Sequence, residues 1–273
     1  MRLYAGHDLN HLGQVENIVA KVDSQKPLQR VFTRREDKKG SPFSFFVGIA
    51  ILLLCTPSRG QDSLQLFHRM QNALGGADKV AAIHDFEDVV RADAWHDDGR
   101  PMGVVRKRVR FIRPAYLRID QVGREDAYVL YFDGTAGWEI LPNGTVADLA
   151  GDELKFAQNY VWHLNLNVWL ADRNPQCRIT APAPYVLVVT DKNDPSLKEK
   201  LTLDAKTFLP TNSGSLSNWQ AFAGVKFPQQ ISSFHNGTKV AAITVERTKI
   251  NHGLKLADLS VKPPDRRPVM PLP

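Results

Sequence analysis

The sequence predicts a mainly β, α+β protein: two helices at the front, then a meander of about nine or ten antiparallel strands broken by one helical insert. Three observations carry this. Short β-rich runs follow one another from Phe86 to Ile250. Asp133-Gly134, Asn143-Gly144 and Asn236-Gly237 fall between such runs, and these dipeptides suit the positive φ of tight hairpin turns. Strands and helices do not alternate regularly, which argues against a parallel sheet.

The elements follow in order. Ser63 to Ile83 reads as helix, break, helix: Leu64, Phe67, Met70 and Leu74 share one face, and Gly75-Gly76 supplies the C-terminal cap. Asp78 opens the second, shorter helix. Strands are expected at 86–94, 104–112, 116–122, 127–132 and 137–141. In the second, Val105, Val109 and Phe111 alternate with Arg106, Arg108 and Arg110, and Lys107 breaks the apolar face. Leu149 to Asp172 carries apolar residues with no strand alternation and reads as the helical insert. Strands resume at 178–181, 185–190, 200–203, 214–223, 225–234 and 239–250. Residues 61–260 form one domain on this reading, and the proline-rich 261–273 is an extended tail.

Residues 1–60 stand apart as a leader. Phe43 to Leu54 (FSFFVGIAILLL) follows a basic cluster (Arg34, Arg35, Lys38, Lys39) and precedes small residues, with Ser58 and Gly60 placed for a cut before Gln61. This is the layout of a secretory signal, and the run is short of the ~20 residues that span a bilayer. An uncleaved inner-membrane anchor or a buried core helix are the alternatives. One explanation for its distance from Met1 is a translation start downstream, near Leu28 or Val31. Lipidation at Cys55 is disfavoured by Leu54, where such processing needs a small residue.

The leader also holds most of the charge. The chain is formally +6, from 35 basic and 29 acidic residues; residues 1–60 hold nine and five of these, leaving 26 against 24. A nucleic-acid partner therefore finds no support in charge. Cys177 is the one cysteine beyond the leader, so residues 61–273 form no internal disulfide and depend on a core.

Catalytic and metal signatures are scarce. The histidines beyond the leader (His68, His84, His96, His163, His235, His252) do not fall at metal-ligand spacing, and His96-Asp97-Asp98 belongs to a hairpin tip. A GxSxG elbow and a phosphate-binding loop are both absent from the sequence. Asp152-Glu153 suits a helix N-terminus. The expectation is a protein that is not an enzyme and uses no cofactor or metal.

Two constellations invite a binding role. Arg106, Lys107, Arg108, Arg110, Arg113 and Arg118 make the strongest charge cluster, either a solvated sheet face or, through Arg106, Arg108 and Arg110, a docking patch for an anionic membrane surface or an acidic partner. Trp138, Trp162, Trp169, Trp219, Phe222 and Phe227 lie on the strands or the insert. If a curved sheet closes imperfectly over its helices, the gap is an apolar cavity. Tyr131, Trp138, Trp162, Trp219 and Phe222 are the candidate lining residues; the alternative is that they fill a packed core.

Several segments resemble a known family. Ala73-Leu74-Gly75-Gly76-Ala77-Asp78-Lys79-Val80, Arg113-Pro114-Ala115-Tyr116-Leu117-Arg118 and Phe132-Asp133-Gly134-Thr135-Ala136-Gly137-Trp138 are similar to stretches of LolA-like outer-membrane lipoprotein-sorting proteins. So are Leu203-Asp204 with Thr207, Leu209 and Pro210, and Gly224-Val225-Lys226-Phe227-Pro228. The resemblance implies a strongly curved, unclosed antiparallel β-barrel with helices covering its concave apolar face. It also implies an exported, periplasmic carrier whose cavity holds lipid or lipoprotein acyl chains, with envelope membrane proteins as partners. Relatives bind other lipids or sense envelope stress, which leaves a sensor or interaction module as the second reading. The helical insert and the arginine-rich strand depart from the family pattern, and no family functional residue maps onto a position here.

Overall fold

A computed structural model describes residues 62–123, 128–140 and 144–262. The leader with its apolar run, Asn143 of one Asn-Gly turn and all but the first two residues of the tail lie outside the described residues.

Helix α1 (Ser63–Leu74) starts where the Asp62 carboxylate accepts from the Leu64 amide, satisfying an otherwise orphaned donor. Its buried face is Leu66, Phe67, Met70, Gln71 and Leu74. Leu64, expected on that face, is 45% exposed, and Leu66 takes the buried place instead. The helix ends at Gly75, with φ 122°, and the Gly76 amide returns to the Gln71 carbonyl at 2.8 Å. A Cβ on Gly75 would sit 2.1 Å from the Gly224 carbonyl oxygen, so two of the family-like segments meet here in backbone contact. A short α2 (Ala77–Ala81) follows.

Twelve strands are described: β1 (Asp85–Trp95), β2 (Pro101–Ile112), β3 (Tyr116–Gln121), β4 (Val129–Phe132), β5 (Gly137–Ile140), β6 (Val146–Asp148), β7 (Cys177–Ala183), β8 (Val186–Asp191), β9 (Lys198–Thr202), β10 (Leu216–Phe222), β11 (Val225–His235) and β12 (Thr238–Ile250). Nine form one antiparallel sheet in the order β10-β11-β12-β1-β2-β3-β4-β5-β6. The edge strands β10 and β6 are not paired with each other, so the sheet is open and not a closed barrel. Register shifts at Val89/Val90, Ala94/Trp95 and Ser233/Phe234 mark bulges, which bend strands and add twist.

The expectation of a single meander needs correction. β7, β8 and β9 form a separate three-stranded sheet. The chain leaves β6 through α3 (Gly151–His163), α4 (Asn165–Val168) and a 3-10 turn (Ala171–Arg173), then lays β7 and β8 against α1. That helix touches β7 and β8 on one side and β11 on the other. The small sheet buries Leu187, Val189 and Leu201 in the same core as the large one.

Alternation along the strands gives the large sheet two different faces. On the inner face, Phe86, Phe111, Leu117 and Phe132 stand in register across β1–β4, with Val109, Ile119 and Leu130 as the next row. These pack under α1, α3 and α4 in one core. Burial of each such side chain contributes roughly 1.5–3 kcal/mol. On the outer face, Val129, Tyr131, Trp138 and Ile140 form a smaller cluster closed by Leu259 of α5 (Leu256–Ser260).

Candidate functional site

A cavity of ≈ 550 Å³, partly open to solvent, lies between the large sheet, the helices and β8. Its apolar wall comes from Phe132 of β4, Val161 and Trp162 of α3, Val168 and Leu170 at α4, and Val189 of β8. Helix α3 presents these residues because Ala157 and Val161 face the core, while Asp152 and Glu153 sit in its first turn, where acidic groups suit the helix dipole. Asn167 donates to the Val161 carbonyl at 2.7 Å and so fastens α4 to the end of α3.

The polar part of the wall is cationic. Arg113, between β2 and β3, donates through Nη2 to the carbonyls of Val80 (3.3 Å) and Leu166 (3.1 Å). One guanidinium thus ties α2 and α4 to the large sheet. Its Nε is buried without a partner, and burial lowers its pKa. Arg173, also on the wall, pairs with the exposed Asp78 at 2.6 Å. Cys177 completes this side; burial first, then the Asp191 charge, pushes its thiol pKa up, with Lys192 opposing.

A second polar group lies on the inner face of β1 and β2. Lys107 is 3% exposed, with its ammonium 3.9 Å from the centre of the Tyr128 ring, and burial brings its pKa down to about 7. Asp88 accepts from the Thr248 hydroxyl at 2.7 Å. Burial outweighs that bond and raises the carboxyl to about 6. Tyr160 of α3 is pushed up to about 12 by burial and by the Asp88 charge.

Of the five aromatic candidates, Trp162 lines the cavity. Trp219 is half-buried against Trp169, at 6.2 Å between rings, and Phe222 packs on Phe227 at 6.4 Å, both in the β10–β11 region. Tyr131 and Trp138 lie on the opposite face, their rings 5.8 Å apart in the cluster under Leu259. They are odd-face residues in strands whose inward positions are Leu130, Phe132, Gly137 and Glu139, so the pleat turns them outward.

The arginines of β2 do lie together on the outer face, but much of their charge is answered. Asp120, 2% exposed, accepts from Arg110 and, at 2.9 Å, from Arg118. Arg118 also donates to the carbonyls of Leu259 (2.8 Å) and Val261 (3.0 Å), which fixes α5 against the sheet. Arg106 pairs with Glu246 at 2.5 Å, and the Nε of Arg108 is buried without a partner.

Of the cations central to these sites, Arg173 was not singled out by sequence, and Lys107 and Arg113 were grouped with the arginines of the cationic strand rather than placed at the inner layer. The available signal was the break that Lys107 makes in the apolar face of β2. Among the described residues, no group of three or more His, Cys, Asp or Glu side chains is arranged to hold a metal ion. No described helix is long and apolar enough to cross a membrane.

No protein-family model matches the chain, and no curated protein matches it in sequence. Solved structures do resemble it. A LolA superfamily protein from Nitrosomonas europaea is 13% identical, with a TM-score of 0.49, over 73% of this chain and 97% of that one. A domain of the outer membrane lipoprotein-sorting kind from Vibrio parahaemolyticus is 11% identical, with a TM-score of 0.47, over 72% and 95%. A DUF1329 family protein from Desulfovibrio piger is 12% identical, with a TM-score of 0.47, over 72% and 98%. At such identities the chain's own residues carry the functional question.

Proposed function

We propose that this chain is an exported, non-enzymatic carrier or binding protein of the cell envelope that holds acyl chains of lipids or lipoproteins. The observation that carries this reading is the cavity of ≈ 550 Å³ between α3, α4 and the two sheets, with Phe132, Val161, Trp162, Val168 and Val189 on its wall. That volume falls within the ~300–1,000 Å³ usual for small-molecule sites. Apolar walls of this kind stabilise a bound chain by roughly 0.8 kcal/mol per buried methylene, less the cost of ordering it. Entry and release follow from movement of α3 and α4, which the Arg113–Leu166 hydrogen bond helps fasten to the sheet.

Docking of an acidic protein or membrane through Arg106, Arg108 and Arg110 has less support, because Asp120 and Glu246 already answer two of these charges. The carrier reading is tested by displacement of a fluorescent fatty acid from the purified protein. Saturable binding that is lost in Val161→Trp, with the circular dichroism spectrum retained, is expected. Binding unaffected by filling the cavity would remove it as the site.

A further inference from the structure

Resting on the carrier reading, the geometry points to an anionic ligand: we propose that the cavity takes an amphiphile whose carboxylate or phosphate head is seated between Arg113 and Arg173. Both arginines stand on a wall that is otherwise apolar or carries neutral amides such as Gln158, Asn167 and Asn174; it holds no carboxylate. A lipid pocket for neutral ligands has no use for two cations on its wall, and the partly buried Arg113 guanidinium would gain from an anion beside it.

The donor inventory agrees. Arg113 uses Nη2 for the Val80 and Leu166 carbonyls, and its Nε is buried without a partner. A guanidinium is a planar fork suited to two parallel hydrogen bonds to a carboxylate or phosphate. Arg173 is the complementary half. Its partner Asp78 has a side chain 98% exposed, and a surface pair of this kind holds weakly. Arg173 can therefore exchange Asp78 for a ligand head at little cost, while Arg113 is fixed by its carbonyl contacts. The wall without a carboxylate and the weakly held Arg173 are separate observations, and both fit an anion at the cavity.

Isothermal titration of the full chain with dodecanoate, dodecyl phosphate and dodecanol separates the outcomes. At low salt the two anions are expected to bind roughly tenfold or more tightly than the alcohol, and whichever anion binds better identifies the head as carboxylate or phosphate. Arg173→Gln, a substitution at an exposed side chain, is expected to reduce affinity for the anions several-fold and leave the alcohol unchanged. Arg113→Lys keeps the charge but removes the fork, and is expected to weaken the anions as well. Equal affinity for dodecanol and the anions, or an equal loss for all three in Arg173→Gln, overturns the anionic-head proposal and leaves the carrier reading standing. Absence of binding by all three amphiphiles overturns both.

Discussion

Replacing Gly75 with alanine should test how α1 is seated, and the structure supplies a matched control one residue away. Gly75 has φ 122°, a conformation that costs a residue with a side chain roughly 1–2 kcal/mol. Its new Cβ would also lie 2.1 Å from the Gly224 oxygen and 3.3 Å from the Val225 Cα, both backbone atoms that cannot rotate away. Relief requires α1 to move from the β10–β11 turn, loosening the contact between Leu66, Phe67, Met70 and Leu74 and the two sheets. Gly75→Ala should therefore cost about 3 kcal/mol or more. Gly76 has φ 106° but nothing within 4 Å of its would-be Cβ, so Gly76→Ala carries strain alone, about 1–2 kcal/mol. With a urea m-value of roughly 2 kcal/mol/M, the midpoints should fall by about 1.5 M and at most about 1 M respectively. Equal midpoints for the two variants at unchanged m would refute the close approach and the placement of α1 that depends on it.

Other outcomes follow from the polar groups. Lys107 has its pKa lowered by burial to about 7, so the unfolded chain binds more protons between about 7 and 10, and stability should rise with pH across that window. Lys107→Met should flatten this rise in pH-dependent urea titrations. Asp88 is shifted the other way, to about 6, so its contribution is present at low pH and lost as pH climbs from about 4 to 6. Asp88→Asn should remove that fall and keep the Thr248 hydrogen bond. Asp120→Asn should cost about 3–5 kcal/mol, because it leaves Arg110 and Arg118 facing each other without the buried carboxylate. Arg106→Gln, at an exposed pair, should cost under about 1 kcal/mol in the same denaturation assay. In a Cys55→Ser background, Cys177 should react with maleimide more slowly when a fatty acid is bound, since the thiol stands on the cavity wall.

Much of the fold was legible because local chemistry and tertiary need coincide. The apolar spacing of α1, the Gly75-Gly76 stop and most strand positions agree with the structure to within a few residues. Two of the family-like segments turn out to be built around backbone devices, although Arg113 and Phe132 of such segments also stand on the cavity wall. Asp133 accepts from the Thr135 amide and hydroxyl and from the Ala136 amide, the last of these doing most to lower its pKa. Asp204 repeats the arrangement with Thr207. Gly137 admits the Tyr131 carbonyl, which a Cβ would approach to 2.0 Å.

Other parts were hidden for physical reasons. Short β runs state that they pair but not with whom, so the detachment of β7–β9 left no mark on the pattern. Tyr131 and Trp138 looked like cavity residues because aromatic residues are expected on a sheet's covered face. This sheet covers part of its outer face too, with a five-residue helix, Leu256–Ser260, too short to read by periodicity. Arg113 and Arg173 sit some sixty residues apart in sequence and converge only through α4, which no local pattern announces.

The most direct test of the account is native mass spectrometry, with lipid extraction, of the protein purified from an envelope fraction without detergent. The account expects a bound amphiphile of lipid mass that is lost in Val161→Trp and weakened in Arg173→Gln. A ligand-free spectrum, together with failure of added fatty acid to bind, would contradict it.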